Sequence, residues 1–219
     1  MSLWRAPERP VRWFMRTSPA VEPAAVGAHR SLALQALLKG LHPEERPAVL
    51  DLGPPLSGNI KFLSALNCRV RVADIHRSLV AEPVEKRRPD AMPALLETLL
   101  PLAPDERFDA VLAWDVFDYL RKDQVTSLMM RLVPRFRRSA QMLVLVSMRR
   151  QLPAVPVRYR IVDHENLDCE KPPAHGASEP MRPCPQYKQS DLGHMMPGLS
   201  VRRCYLLRSG IQEYLMAPD

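Results

Sequence analysis

Ala48-Val49-Leu50-Asp51-Leu52-Gly53-Pro54-Pro55-Leu56-Ser57-Gly58 is the stretch on which the fold of this chain turns. The run Ala48–Leu52, interrupted only by Asp51, predicts a strand covered on both faces. Gly53 opens a turn, and Ile60, Phe62, Leu63 and Leu66 behind it supply the apolar side of a helix. A strand that runs through a glycine turn into a helix is how a nucleotide-type cofactor site begins in a doubly wound sheet. Pro54 and Pro55 stand where such turns favour glycine, and a proline there removes a backbone donor while setting φ.

Further strands are predicted at Arg69–Ala73, Ala110–Trp114 and Met142–Ser147, with helices at about 59–66, 92–100 and 122–133. This alternation implies a parallel sheet with right-handed crossovers. Arg69, Val70, Arg71 and Val72 alternate in polarity, which moves that strand toward an edge. Between Asp74 and Phe108 no convincing β run is found, so a third strand there is short, distorted or absent. Upstream, residues 24–39 read as a helix with Leu34, Leu37, Leu38 and Leu41 on a broad apolar face and Gly40 as its stop. Downstream, residues 151–188 are proline-rich and read as a loop or lid with one short strand at Arg158–Val162. Ser190 reads as a helix cap ahead of Asp191–Met196. Leu199–Met216 reads as two strands around Arg208-Ser209-Gly210. Residues 1–23 form an extended, proline-punctuated arm whose Trp4, Trp13 and Phe14 suit docking on the rest. The expected organisation is that arm followed by a single domain over 24–219.

The chain carries 31 basic and 24 acidic residues, a formal charge of +7, with 23 prolines and only 8 glycines in 219 residues. So much proline argues against long uninterrupted helices. A basic surface suits nucleic acid, an anionic membrane or an acidic partner, and it equally describes arginine-rich solvated faces. Arg131, Arg135, Arg137 and Arg138, with Phe136 among them, admit both an RNA-facing reading and a helix end that complements the dipole. No RNA-binding module motif accompanies them. Cys68, Cys169, Cys184 and Cys204 show no CxxC pairing and read as reduced thiols. His164, Cys169, His175 and Cys184 lack the short paired spacing of structural zinc sites, so no metal is expected. No apolar run reaches the length of a membrane span. The first 16 residues lack the apolar middle of a secretory signal, and Pro7 and Pro10 oppose a transit-peptide helix. The expected location is the cytoplasm.

Four features in order, Val49-Leu50-Asp51-Leu52-Gly53, Val72-Ala73-Asp74, Phe108 to Val116 and the carboxy-terminal antiparallel pair, resemble the class I S-adenosylmethionine-dependent methyltransferases. The resemblance covers about residues 30–150 and the hairpin at 199–216. It implies an α/β Rossmann-like fold: a doubly wound, mostly parallel sheet in a three-layer sandwich, closed by a C-terminal antiparallel hairpin. It also implies S-adenosylmethionine as cofactor, with its methionyl carboxylate at the glycine turn and its ribose hydroxyls on Asp74. Asp51, Gly53, Pro54, Gly58, Asn59, Asp74, Trp114 and Asp115 are then the cofactor-side residues. Asp118 and Tyr119 lie near the pocket, and Asp115 and Tyr119 are candidate substrate-side groups. No residue is assigned a catalytic role.

The family turn commonly reads Asp-x-Gly-x-Gly-x-Gly, and Pro55 stands here in place of the second glycine. Gly58 restores a glycine one residue late, with Ser57 or Asn59 as helix cap. Such a loop either holds the cofactor in altered geometry or has lost it. Three readings follow. The leading one is methyl transfer to an unidentified acceptor. The second is a non-catalytic methyltransferase-like scaffold that binds a protein partner. The third and weakest is an RNA-modifying enzyme using the arginine patches.

Overall fold

The structure, a computed structural model, describes residues 28–75, 91–170 and 180–219. The elements in chain order are β1 (His29–Arg30), α1 (Leu32–Lys39), β2 (Ala48–Asp51), α2 (Ser57–Ala65), β3 (Arg69–Val72), α3 (Met92–Leu99), β4 (Phe108–Trp114) and α4 (Lys122–Leu132). They continue with β5 (Phe136–Ser147), β6 (Gln151–Pro153), β7 (Arg158–Ile161), β8 (Asn166–Glu170), β9 (Met181–Pro183), α5 (Gln189–Met195), β10 (Leu199–Leu206) and β11 (Ile211–Pro218).

The main sheet runs β10-β11-β5-β4-β2-β3. Its β3, β2, β4 and β5 are mutually parallel, and β11 enters antiparallel to both β5 and β10. Side-chain alternation sends Val49, Ala110, Leu112, Leu143 and Leu145 to one face, against α1 and α2. Leu50, Val111, Met142, Val144 and Val146 go to the other, against α3, α4 and α5. The sheet is therefore the middle of three layers, as the apolar strands predict. Two small sheets sit outside it: β1-β8-β7, and the ribbon β6-β9.

Several sequence expectations shift. The first helix begins at Leu32 rather than at residue 24, because Ser31 caps it by accepting from the Leu34 N–H at 3.1 Å. His29 and Arg30 pair instead with β8. Segment 151–188 holds four short strands, not one; their partners lie 8 to 30 residues or more away and leave no local periodicity. The late helix is capped at Lys188, not Ser190, and the Asp191 carboxylate accepts from the Lys188 N–H at 2.9 Å. Pro134, early in a 3-10 turn, ends α4 ahead of Arg135, and Arg137 and Arg138 lie on β5, so most of that arginine cluster is not a helix end. The 1–23 arm lies outside the described residues, as does much of the interval where the third strand was sought. The described part of that interval, 91–107, holds α3 and no strand. Among the described residues, no helix is long and apolar enough to cross a membrane.

β5 is the longest strand and contacts both β4 and β11. Leu143, at 0% exposure on it, is enclosed by the α1–α2 layer. Leu143→Ala should cost about 2–5 kcal/mol of unfolding free energy, read as a lowered urea midpoint at unchanged slope.

Candidate active site at the carboxyl ends of the parallel strands

The sheet order reverses direction between β2 and β4: from β2 the chain goes outward to β3, and from β4 to β5 on the other side. In open α/β sheets the crevice outside the carboxyl ends at such a point is where ligands bind. Asp51 ends β2 there, almost wholly buried. Its Oδ1 accepts from the Gly53 N–H at 2.9 Å and from the Trp114 indole Nε1–H at 2.6 Å. One carboxylate thus closes the glycine turn on its own strand and ties it to the end of β4.

Trp114 holds a φ of 50°, a region a bulky side chain rarely occupies. Its indole lies against Gly53 so closely that a Cβ there would stand 2.8 Å from two ring atoms. Any side chain at residue 53 would displace the ring. The indole stacks on Tyr159 of β7, with centroids 5.6 Å apart and planes within 6°. The Tyr159 hydroxyl donates to Asp115 Oδ2 at 3.4 Å. Burial, and next the neighbouring Asp115 charge, push the Tyr159 phenol well above its usual range, so it stays a proton donor.

Asn59 does not cap α2 by its side chain, and neither does Ser57; Leu56 is the cap residue. The buried Asn59 amide instead donates to the Tyr159 carbonyl at 2.9 Å and accepts from the Ile161 N–H at 2.8 Å. This pins β7 over the start of α2. Gly58 lies beneath the Arg160 stem, where a Cβ would make ordinary contact at 3.6 Å, so steric room does not demand glycine there. Pro54 is half-buried, Pro55 is exposed, and Pro54 O accepts from the Leu56 N–H at 2.8 Å.

Asp74 follows β3. The Ala73 and Ile75 N–H groups donate to Asp51 O and Leu52 O at 2.9 and 3.1 Å, which places Asp74 beside the glycine turn. It too adopts a positive φ, 43°, and its buried Oδ1 has no hydrogen-bond partner.

The structure therefore brings Asp51, Gly53, Trp114 and Asp115 into one contact set and Asp74 beside it, but turns Asn59 away to β7. Sequence reasoning did not anticipate Tyr159, because nothing local marks a residue that stacks across 45 positions.

Behind this set, Asp118 is at 0% exposure; its Oδ2 accepts from the Ser147 N–H at 2.8 Å and its Oδ1 has no partner. Burial, then the nearby Asp115, raise its carboxyl well above the usual carboxylate range, against the Ser147 bond. Tyr119 donates to Pro153 O of β6 at 3.1 Å and carries the Arg182 guanidinium 5.2 Å above its ring. The β6-β9 ribbon thus lies over the end of β4. The proposed zinc ligands disperse among the described residues. His164 meets Phe62 edge-on, Cys169 approaches His29, and Cys184 donates to Ser147 O. Burial and the Asp115 charge push the Cys169 thiol up to about 12.

No family model and no curated protein matches the chain. Solved structures do. The PH0226 protein of Pyrococcus horikoshii shares 12% identity at a TM-score of 0.51, over 85% of this chain and 88% of that one. This chain has the class I methyltransferase fold. An S-adenosylmethionine-dependent methyltransferase of Clostridium acetobutylicum is similar at 10% identity and TM-score 0.48, over 85% of this chain and 91% of that one. The 1,6-didemethyltoxoflavin N1-methyltransferase of Burkholderia thailandensis is similar at 14% and 0.46, over 86% and 79%. Against that methyltransferase fold, the distinctive local feature is the indole packed into the first glycine turn.

A folded-state pKa above the unfolded one means that folding takes up a proton. Asp118 therefore favours the fold most below about pH 4, and that contribution drains away as pH rises toward its raised pKa. Across about pH 4 to 8, urea midpoints should fall more steeply for the wild type than for Asp118→Asn, whose amide oxygen still serves Ser147 but cannot ionise. Parallel profiles would mean that Asp118 is charged in the fold.

Proposed function

We propose that this chain binds S-adenosylmethionine in the crevice between β2 and β4 and transfers its methyl group to an acceptor reached under the β6-β9 ribbon. The observation that carries the proposal is the buried, unpartnered Oδ1 of Asp74 beside the glycine turn. An acceptor atom left without a donor in a protein interior costs about 1–3 kcal/mol, and a ribose hydroxyl would supply that donor. Strained φ values at Asp74 and Trp114, on the two strand ends that flank the crevice, support the same reading, since such strain clusters at ligand sites.

The fit is uneven along the crevice. On the ribose side Asp74 offers an acceptor, and Asp115 borders the end of β4. On the turn side the indole of Trp114 lies in the cradle of Gly53, and the Gly53 N–H is already given to Asp51. Binding there requires the indole to leave Gly53, which breaks one hydrogen bond and one stacking contact. The sulfonium of the bound cofactor supplies the reactivity of the methyl group, so alignment is the main task left to the protein. Asp51 would hold the turn in shape, Gly53, Pro54 and Gly58 would form its wall, and Tyr159 and Asp115 would restrict water from the ribbon side. The acceptor is unassigned.

The same indole favours a second reading, a methyltransferase-like scaffold whose crevice is permanently filled. Calorimetric titration with S-adenosylmethionine and S-adenosylhomocysteine separates them. Under the leading reading the wild type binds both, Asp74→Ala binds about tenfold or more weakly, and Trp114 emission shifts on binding relative to Trp114→Phe. Absence of binding by folded wild type and folded Trp114→Phe alike would establish the scaffold reading.

A further inference from the structure

At the opposite, amino-terminal ends of β2, β3 and β4 lies a cavity of about 520 Å3 that the crevice does not use. Four guanidiniums from separate parts of the chain line it: Arg69 and Arg71 on β3, Arg107 ahead of β4, and Arg137 on β5. The alternating arginines of β3 and one member of the Arg131–Arg138 cluster, two features apart in sequence, thus meet at one place. The register between β4 and β5 shifts between Phe108 and Ala110, so residues 137–140 of β5 bulge out of the ladder, and that bulge carries Arg137 to the cavity.

The facing carboxylates do not cancel this field. Glu106 takes a bidentate bond from Arg71 Nη1 at 2.7 and 2.8 Å, and Arg71 Nη2 donates to Pro101 O at 2.6 Å. Arg137 Nε meets Asp109 Oδ1 at 3.2 Å. Arg107 Nη1 donates to the carbonyls of Pro104 and Glu106 at 2.9 Å. These bonds fix the orientation of three forks, each with five donors, without exhausting them. Arg69 has no partner among the described residues. Asp105 is the one lining acid for which no arginine partner is found. Preoriented guanidiniums with unspent donors suit the planar, bidentate recognition of phosphate.

We infer that this cavity binds the phosphate groups of a small, nucleotide-sized ligand, at a site separate from the crevice. The volume lies in the range of small-ligand pockets. A four-residue strand spans about 13 Å, which is the separation the two ends of β2 impose. Occupancy of one site therefore need not block the other.

The test titrates purified full-length protein with inorganic pyrophosphate, uridine diphosphate and uridine at low and raised salt, with S-adenosylhomocysteine present and absent. Pyrophosphate and uridine diphosphate should bind, uridine should not, and raised salt should weaken binding. Arg69→Ala and Arg137→Ala, both at exposed positions, should each weaken pyrophosphate about tenfold with unchanged thermal midpoint. S-adenosylhomocysteine should leave the affinity unchanged. The proposal is overturned by failure of pyrophosphate to bind, by indifference to both substitutions, or by displacement with S-adenosylhomocysteine. Binding of a single-stranded RNA oligonucleotide without any binding of pyrophosphate would overturn it in favour of a nucleic-acid surface.

Discussion

The carboxylate of Asp51 is the point on which the functional end of the molecule depends. It is buried at the carboxyl end of β2 and accepts at once from the glycine turn of its own strand and from the indole of the neighbouring parallel strand. A buried carboxylate is tolerated only where its oxygens are hydrogen-bonded, and here those bonds set the geometry of the crevice. The turn is drawn tight, Trp114 is drawn over Gly53, and the stack on Tyr159 follows. The sheet provides the platform, but this one group decides what shape the crevice has.

From that point the outer layers follow in sequence. Stacking places β7 above the turn, and the two ends of the Asn59 amide lock it there through backbone bonds. β8 joins β7, and β1 joins β8, so the chain just before α1 is fastened to a segment more than 130 residues later. Glu213 of β11 secures the same corner: fully buried, it accepts from the Ala33 N–H at 3.1 Å and faces His29 at 3.4 Å. The cover on the α1–α2 side is therefore held at both its amino- and carboxy-terminal contributors. The ribbon on the other side is held through Tyr119 and Pro153, close to an acid, Asp118, that burial keeps reluctant to ionise.

Much of the sheet was legible beforehand because its signals are local. A strand covered on both faces must be apolar along its length, and Ala48–Leu52, Ala110–Trp114 and Met142–Ser147 are nearly so. Their helices show apolar periods, and the final hairpin shows its glycine turn, where Gly210 takes a φ of 80°. The shortcomings share a different cause. β6 to β9 are short strands whose partners are remote, so no period announces them. Arg137 and Arg138 resemble a helix end only while Pro134 is read as lying within the helix. Asn59 looked like a cap from its position, yet its amide found stronger use against β7.

By itself the sequence determined the alternation of strand and helix, the place of the first glycine turn, and the acid beside it, because spacing and hydrophobicity dictate those through nearest-neighbour physics. It also raised, through Pro54 and Pro55, the question of whether that turn still serves a cofactor. Only the tertiary structure decided what lies in the turn. Neither proline fills the cradle of Gly53; an indole from 61 residues later does, held by Asp51 and backed by Tyr159. Contacts of that kind are made by the folding of distant segments onto one another, and no local pattern encodes them.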